Sequence, residues 1–157
     1  MHDPVDPDVD LHEPRQRLEL RQAPWTTLAA ISAGGVSGAL ARYGIATALP
    51  HDAGHFAWAT FAVNVAGCLL IGVLMVAITE VWQVHHLVRP FLGVGVLGGF
   101  TTFSTYVVDI QASLEAGAPR TALVYLAATL LAALAAVYAG VRLARLLTRS
   151  RRAGETR

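Results

Sequence analysis

The sequence has 157 residues, of which 54% are hydrophobic and 15% charged, with a formal net charge of +1 and a mean hydropathy of +0.49. This composition is too apolar for a small soluble domain and indicates an integral membrane protein. There is no His/Cys spacing suited to a metal, no Gly-x-Ser-x-Gly elbow and no phosphate-binding loop. We therefore expect no enzyme, and no nucleic-acid partner is expected either.

Four stretches are long and apolar enough to cross about 30 Å of hydrocarbon. They are approximately Pro24–Leu49, Phe56–Thr79, Leu87–Leu114 and Pro119–Leu146. We predict an all-α integral membrane fold of four transmembrane helices with short loops, the third helix being broken at its centre. The predicted channel domain is residues 24–146, between a disordered N-terminal tail (1–23) and a basic C-terminal tail (147–157).

All twelve basic residues are arginine, and they are unevenly distributed. With four spans, both termini and the loop between spans two and three share one side of the membrane. That side carries ten arginines, whereas the other carries Arg120 and, if it reaches so far, Arg42. The positive-inside rule then places both termini in the cytoplasm. We expect the protein to lie in the plasma membrane. Contact of the C-terminal arginines with anionic membrane lipid would give the same orientation.

Span one carries Gly34, Gly35 and Gly38, small residues at spacings that let helices approach closely. Taken alone, these glycines indicate helix packing. Arg42 is more unusual, because a charged side chain at that depth is costly unless it reaches water or a polar cavity. Two interpretations stay open: the guanidinium extends to the lipid headgroups, or it lines an aqueous vestibule that attracts anions.

Span two contains Asn64 among apolar side chains, with Thr60 one helical turn earlier on the same face. A carboxamide in hydrocarbon needs partners. Asn64 can form an interhelical hydrogen bond, or its NH₂ group can present donors to a dehydrated anion. Cys68, the only cysteine, cannot form an internal disulfide, and we expect it to fill space.

Span three contains the most informative stretch, from Gly98 to Tyr106 (GGFTTFSTY). Two glycines followed by hydroxyl-bearing residues weaken a helix and expose its carbonyls, which predicts the break. Freed carbonyls near Gly98 and Thr101 suit a structural Na⁺. The half-helix that begins near Thr102 would add N–H donors and a positive dipole end. Phe103 and Tyr106 lie one turn apart, and their positive ring edges can solvate a small anion weakly.

Span four is rich in alanine and leucine and stacks Tyr125 and Thr129 on one face. A threonine in such a helix usually bonds its own backbone carbonyl. The spans lack a central carboxylate, since Asp109 falls toward the end of span three. What remains is a set of donors and rings, which suits an anion: Arg42, Asn64, Phe103, Ser104, Thr105, Tyr106, Tyr125 and Thr129.

Two other functions stay open. A small proton-coupled antiporter for cations or drugs is the weaker alternative, because it needs a titratable acid in its pathway. A non-conducting subunit, whose glycines and hydroxyls only pack helices together, is the third.

Three blocks of the sequence resemble the Fluc/CrcB family of fluoride channels, over all four spans (about residues 30–137). The blocks are Gly35-x-x-Gly38-Ala39-x-x-Arg42-Tyr43, Thr60-x-x-x-Asn64-x-x-Gly67, and Gly95-x-x-Gly98 continued to Tyr106. The first two are weak singly, whereas the third is highly specific. All three occur in the order and spacing of the family.

The resemblance implies passive efflux of F⁻ down its electrochemical gradient through a channel of two antiparallel four-helix subunits. Two pores would lie at the subunit interface, around one central Na⁺ that is not transported. Carried over to this sequence, the Na⁺ carbonyls are those of Gly98 and Thr101, the pore residues are Asn64, Phe103 and Tyr106, the polar track is Tyr125 and Thr129, and the vestibule residue is Arg42.

Three features depart from the family pattern. Tyr106 stands where the family usually has a second phenylalanine, and Ala133 stands where it often has another hydroxyl. The third departure is the arginine bias, because a chain that pairs antiparallel with itself has to insert in both orientations. We therefore expect a subunit of fixed orientation whose partner is a homologous chain of opposite bias.

Overall fold

The computed structural model describes residues 24–81 and 85–155, and within this part it is helical and contains no strand. The helices are α1 (Pro24–Ala48), α2 (Trp58–Val76, extended by a π-helical turn, Ala77–Val81), α3 (π-helical over Arg89–Leu97 and α-helical over Gly98–Phe100), α4 (Ser104–Glu115) and α5 (Pro119–Glu155). The all-α prediction is confirmed for these residues. The predicted tail at 1–23 lies outside them.

Three helical stretches among the described residues are long and apolar enough to cross a membrane: Trp58–Glu80, Arg89–Glu115 across its break, and Pro119–Thr148. The 25-residue α1 has the length but is not among them, because glycines, polar side chains and Arg42 interrupt its apolar residues. The leucines on the outer face of α5 are largely exposed, as expected for contact with lipid. The chain is thus a multi-pass membrane protein, and three of the four predicted spans are confirmed.

Glycines bring the backbones of α1 and α3 into direct contact. A Cβ added to Gly38 would overlap the carbonyl oxygen of Val96 and lie 2.7 Å from the amide nitrogen of Phe100. A Cβ added to Gly99 would overlap the carbonyl oxygen of Gly35. The glycines of α1 therefore pack helices, as predicted, and they fix α1 against the residues that precede the break.

The helices α2 and α5 run parallel and side by side. Just before α2, the Phe56 ring meets the Tyr125 ring edge-on, with centroids 5.1 Å apart. Beyond the other end of α2, Arg145 Nη2 lies 2.9 Å from Glu80 Oε1. Between these points, a Cβ added to Gly72 would overlap a backbone carbonyl of α5. Because α2 and α5 pack this closely, their polar faces border one common groove between the two helices.

A Schellman motif ends α4 and turns the chain into α5. Gly117 has φ +72°, Gly117 N donates to Leu114 O (3.0 Å) and Ala118 N donates to Ser113 O (2.9 Å). Pro119 then begins α5, where its missing N–H costs nothing. The tight turn holds α4 and α5 side by side.

Candidate functional site at the broken helix

The third span is interrupted between Phe100 and Ser104, where the sequence predicts a break. The last bond of α3 runs from Thr101 N to Leu97 O (3.0 Å). The backbone of Thr101 is then extended, with φ −77° and ψ 160°. The first bond of α4 runs from Val107 N to Phe103 O (3.0 Å). The two half-helices are therefore joined by a short non-helical link.

Thr102 caps α4, a role that the sequence analysis did not assign. Its Oγ1 accepts a hydrogen bond from Thr105 N (3.1 Å) and donates to Thr105 Oγ1 (3.1 Å), and Ser104 Oγ lies 3.4 Å away. The N-cap position itself is Phe103, which makes no side-chain cap bond, so the hydroxyl of the preceding Thr102 satisfies a free amide of the first turn. The signal was present as a hydroxyl residue ahead of an apolar run.

Asn64 of α2 forms hydrogen bonds to the backbone of the link. Its Nδ2 donates to Thr102 O (2.8 Å), and Thr102 N donates to its Oδ1 (2.9 Å). Of the two interpretations of Asn64, the interhelical bond is therefore present, in a double form. The carboxamide keeps one N–H free of these two bonds, so a role in binding an anion stays a prediction.

The carbonyls of Gly98 and Thr101 lose their helical partners at the break. A continuous helix would direct the amides of Thr102 and Thr105 at them, but these amides bond to Asn64 Oδ1 and Thr102 Oγ1. A Cβ added to Gly98 would meet nothing within 4 Å, so this position is open. The two carbonyls predicted to bind Na⁺ are thus both freed, and carbonyl oxygens suit this ion.

Arg42 engages a third carbonyl of this region. Its Nε donates to Gly99 O (3.2 Å), and its side chain is half-buried. The guanidinium therefore lies beside the break. This bond could not be predicted from the sequence, because the acceptor is a backbone atom. The vestibule role of Arg42 stays a prediction.

The two predicted pore rings lie beside each other but differ in exposure. Phe103 is 77% exposed, and its ring centroid is 5.9 Å from that of Tyr106, at an interplanar angle of 47°. The Tyr106 hydroxyl donates to Leu126 O (2.9 Å), which fixes the ring against α5. This bond gives the Tyr106 hydroxyl a partner within the chain.

Tyr125 is turned toward a carboxylate. It is 1% exposed, and its hydroxyl donates to Asp109 Oδ2 (3.2 Å). The other oxygen of Asp109 lies 3.6 Å from His51 Nε2, and the Tyr106 ring lies 5.3 Å from the Tyr125 ring. Asp109 thus belongs to a polar cluster beside the middle of α4, which sequence reasoning missed.

A cavity of about 290 Å³ opens beside the break, between α2 and α5. It is lined by Asn64, Cys68, Thr101, Thr102, Phe103, Tyr106, Thr129, Leu130 and Ala133. Of the predicted site residues, five line it, whereas Arg42, Gly98, Ser104 and Tyr125 do not. The sequence analysis assigned no role in the site to Cys68 or Thr102. No charged side chain lines the cavity.

Thr129 lines this cavity and carries a buried, unsatisfied hydroxyl. The residue is 5% exposed, and its Oγ1 is the only buried side-chain polar atom without a hydrogen-bond partner in the described part of the chain. The bond to its own backbone that is usual for such threonines is therefore not formed. A buried hydroxyl without a partner indicates a site for a polar ligand or water.

This fold and cavity define a class: a multi-pass helical membrane protein with an uncharged, mainly apolar cavity beside a helix break. Comparison with known proteins then gives the family. Residues 29–141 match the family described as "CrcB-like protein, Camphor Resistance (CrcB)", and the chain belongs to it. The resemblance drawn from the three sequence blocks is thereby confirmed.

Several relatives carry a functional name. The chain is 54% identical over 125 residues to "Fluoride-specific ion channel FluC 2" of Streptomyces avermitilis, which covers 80% of this chain and 79% of that protein. It is 60% identical over 121 residues to the protein of the same name from Nocardia farcinica, covering 77% and 86%. "Fluoride-specific ion channel FluC 3", also of S. avermitilis, is 43% identical over 119 residues, covering 76% and 58%.

Proposed function

We propose that this protein is a fluoride channel through which F⁻ leaves the cell down its electrochemical gradient, lowering cytoplasmic fluoride. The observation that carries the proposal is the buried, unpartnered hydroxyl of Thr129, which belongs to a cavity that Asn64 and two aromatic residues also line and that no charged group lines. The names of the relatives support the choice of fluoride. In acidic surroundings fluoride enters cells as HF and ionises at the pH of the cytoplasm, so a passive pore suffices to remove it.

Several residues that line the cavity together replace the water molecules that solvate the anion. Thr129 Oγ1 and the remaining N–H of Asn64 donate hydrogen bonds, and the rings of Phe103 and Tyr106 offer positive edges. None of these groups carries a full charge, so each site is weak. Weak successive sites let an anion enter and also leave, which fast conduction requires.

One chain forms only part of the proposed channel. Phe103 is largely exposed and Gly98 faces open space, which supports a second subunit at this surface in antiparallel orientation. In this assembly α1 is the fourth span. The freed carbonyls of Gly98 and Thr101 would hold a central Na⁺ together with their counterparts. That ion would supply positive charge and join the two subunits.

The test of function is fluoride efflux from proteoliposomes containing the purified chain, or the chain with its partner. Valinomycin and a potassium gradient set the voltage, and chloride is the control anion. We expect voltage-driven fluoride efflux without chloride efflux. Uptake of a cation or drug driven by a pH gradient would instead favour the antiporter, and no transport of any kind would favour the packing subunit.

Thr129→Val separates a conducting role of the hydroxyl from a structural one. Valine has nearly the same shape, and no protein hydrogen bond is lost, so we expect unchanged or slightly higher thermal stability in detergent. Fluoride efflux should fall about tenfold, as for a barrier raised by about 1.4 kcal/mol.

Thr79→Val is the matched control for Thr129→Val. The Thr79 hydroxyl donates to Met75 O (2.7 Å), and Thr79 does not line the cavity, so its loss should leave efflux unchanged. Parental efflux from Thr129→Val would contradict the assignment. So would a loss of efflux accompanied by a matching loss of stability.

The arginine distribution supports a chain of fixed orientation that pairs with a homologous chain of opposite bias. Ten arginines lie on the side of the termini if α1 is a span, and two on the other. Two fluoride-channel relatives occur together in S. avermitilis, so more than one member of the family can be present in one cell.

Cysteine labelling tests this orientation. In a Cys68→Ser background, the variants Ala53→Cys and His86→Cys put a thiol at exposed positions in different loops. In cells that express this chain alone, an impermeant maleimide should label position 53, and position 86 only after permeabilisation. Similar labelling of both positions in intact cells would show dual insertion and contradict the proposal.

A further inference from the structure

Cys68 lines the cavity but has no part in the function proposed above. It lies on α2 one helical turn beyond Asn64, so both side chains are on the same face. Cys68 is half-buried and free, and its thiol has no hydrogen-bond partner among the described residues.

On the facing helix, α5, the polar side chain at the level of Asn64 has no polar successor one turn further on. Ala133 follows Thr129 by one turn of α5 and lines the cavity, but it offers no hydrogen bond. The helices α2 and α5 run parallel. Cys68 therefore lies beyond Asn64 in the same direction as Ala133 lies beyond Thr129. The cavity therefore has a second level, at which α2 contributes the polar group, Cys68, and α5 contributes an apolar wall.

The unpartnered hydroxyl of Thr129 independently indicates that a polar ligand enters this part of the cavity. Its Oγ1 is buried, and the residue is only 5% exposed. Thr129 and Cys68 line the same cavity, so a ligand that enters it to bind this hydroxyl also enters the space beside Cys68. An anion that moves on from Thr129 past Ala133 then comes next to the thiol.

We propose that Cys68 is a further specificity-determining residue, an S–H donor one turn beyond the level of Asn64 and Thr129, and that its thiol makes anion passage sensitive to thiol-modifying reagents. The inference rests on the proposed fluoride function. A thiol is a weak donor, so it can solvate an anion without trapping it.

The first experiment moves the donor across the cavity. Cys68→Ala should lower fluoride efflux by about three- to tenfold, the size expected for one hydrogen bond, whereas Cys68→Ser should retain it. The double variant Cys68→Ala/Ala133→Ser places a hydroxyl at the same level on α5 and should restore efflux. Size-exclusion profiles show that all variants assemble. Parental efflux from Cys68→Ala, or no recovery in the double variant, would overturn the inference.

The second experiment uses methyl methanethiosulfonate on the same vesicles. The Cys68 thiolate attacks the sulfenyl sulfur, forms a methyl disulfide and releases methanesulfinate, and its proton goes to water. Intact mass should show one added methylthio group, and efflux should fall sharply in the parent but not in Cys68→Ser. An unmodified parent, or full efflux after complete modification, would overturn the inference.

The proposed function and the proposed role of Cys68 can be overturned separately. A parent protein that conducts no fluoride would overturn the proposed function and this inference with it. A parent that conducts, together with a Cys68→Ala variant that conducts equally well, would overturn this inference alone.

Discussion

Phe103→Ile should reduce fluoride efflux by roughly 100-fold or more, the largest effect expected of any single change. Isoleucine keeps the volume apolar but has no ring edge, so a dehydrated anion beside it loses its partner, which costs several kcal/mol, and each 1.4 kcal/mol slows passage about tenfold. Phe103 is 77% exposed, so the substitution leaves the packing of the single chain intact. Efflux from proteoliposomes measures the effect, and size exclusion monitors assembly.

Tyr106→Phe is the matched control for the ring. It keeps the aromatic edge and removes only the bond from the hydroxyl to Leu126 O (2.9 Å). We expect it to change efflux far less than Phe103→Ile does. If Phe103→Ile conducted as fast as the parent, the ring would have no role in solvating the anion.

Asn64→Leu should be the most disruptive change of a buried polar group. The leucine cannot replace either bond to the backbone of Thr102, so both backbone groups lose their partner at the break. Each unpaired group costs about 1–3 kcal/mol, and we expect a total loss of roughly 2–5 kcal/mol in unfolding free energy. Thermal unfolding in detergent and fluoride efflux should both decline. Thr79→Val, which loses a single local bond on the same span, is the control.

Asn64→Asp distinguishes the support of the break from the supply of a donor. A carboxylate can still accept the bond from Thr102 N, but it cannot donate to Thr102 O, and it adds a negative charge to the cavity. Efflux should therefore fall further than stability does. Efflux of Asn64→Asp at the level of the parent would show that the cavity does not conduct an anion.

The sequence could locate the break because its cause is local. Glycine at 98 and 99 and the hydroxyls after them weaken a helix wherever it lies. The spans follow in the same way from hydropathy, and α1 is the weakest of them because its glycines serve contact with α3. Local chemistry thus predicted where the site lies.

The hydrogen-bond partners of the site residues could not be predicted from the sequence, because most of these partners are backbone atoms of residues far away along the chain. Asn64 bonds to a residue 38 positions away, and Arg42 to one 57 positions away. A backbone carbonyl carries no sequence signal, so these bonds appear only once the helices are packed. The same holds for Thr129, because only the structure shows that its hydroxyl does not form the bond to its own helix that is usual for such threonines.

The end of α3 and the short link after it are held by two distant helices at once. From α1, Arg42 donates to Gly99 O; from α2, Asn64 bonds to Thr102, and a Cβ on Gly67 would overlap the side chain of Thr101. Residues 99–102 therefore take their shape from α1 and α2 as much as from their own composition. Transplanted alone into an unrelated membrane helix, this stretch would have no reason to stay open. Exchange between homologues, or design, has to transfer this stretch together with its contacts on α1 and α2.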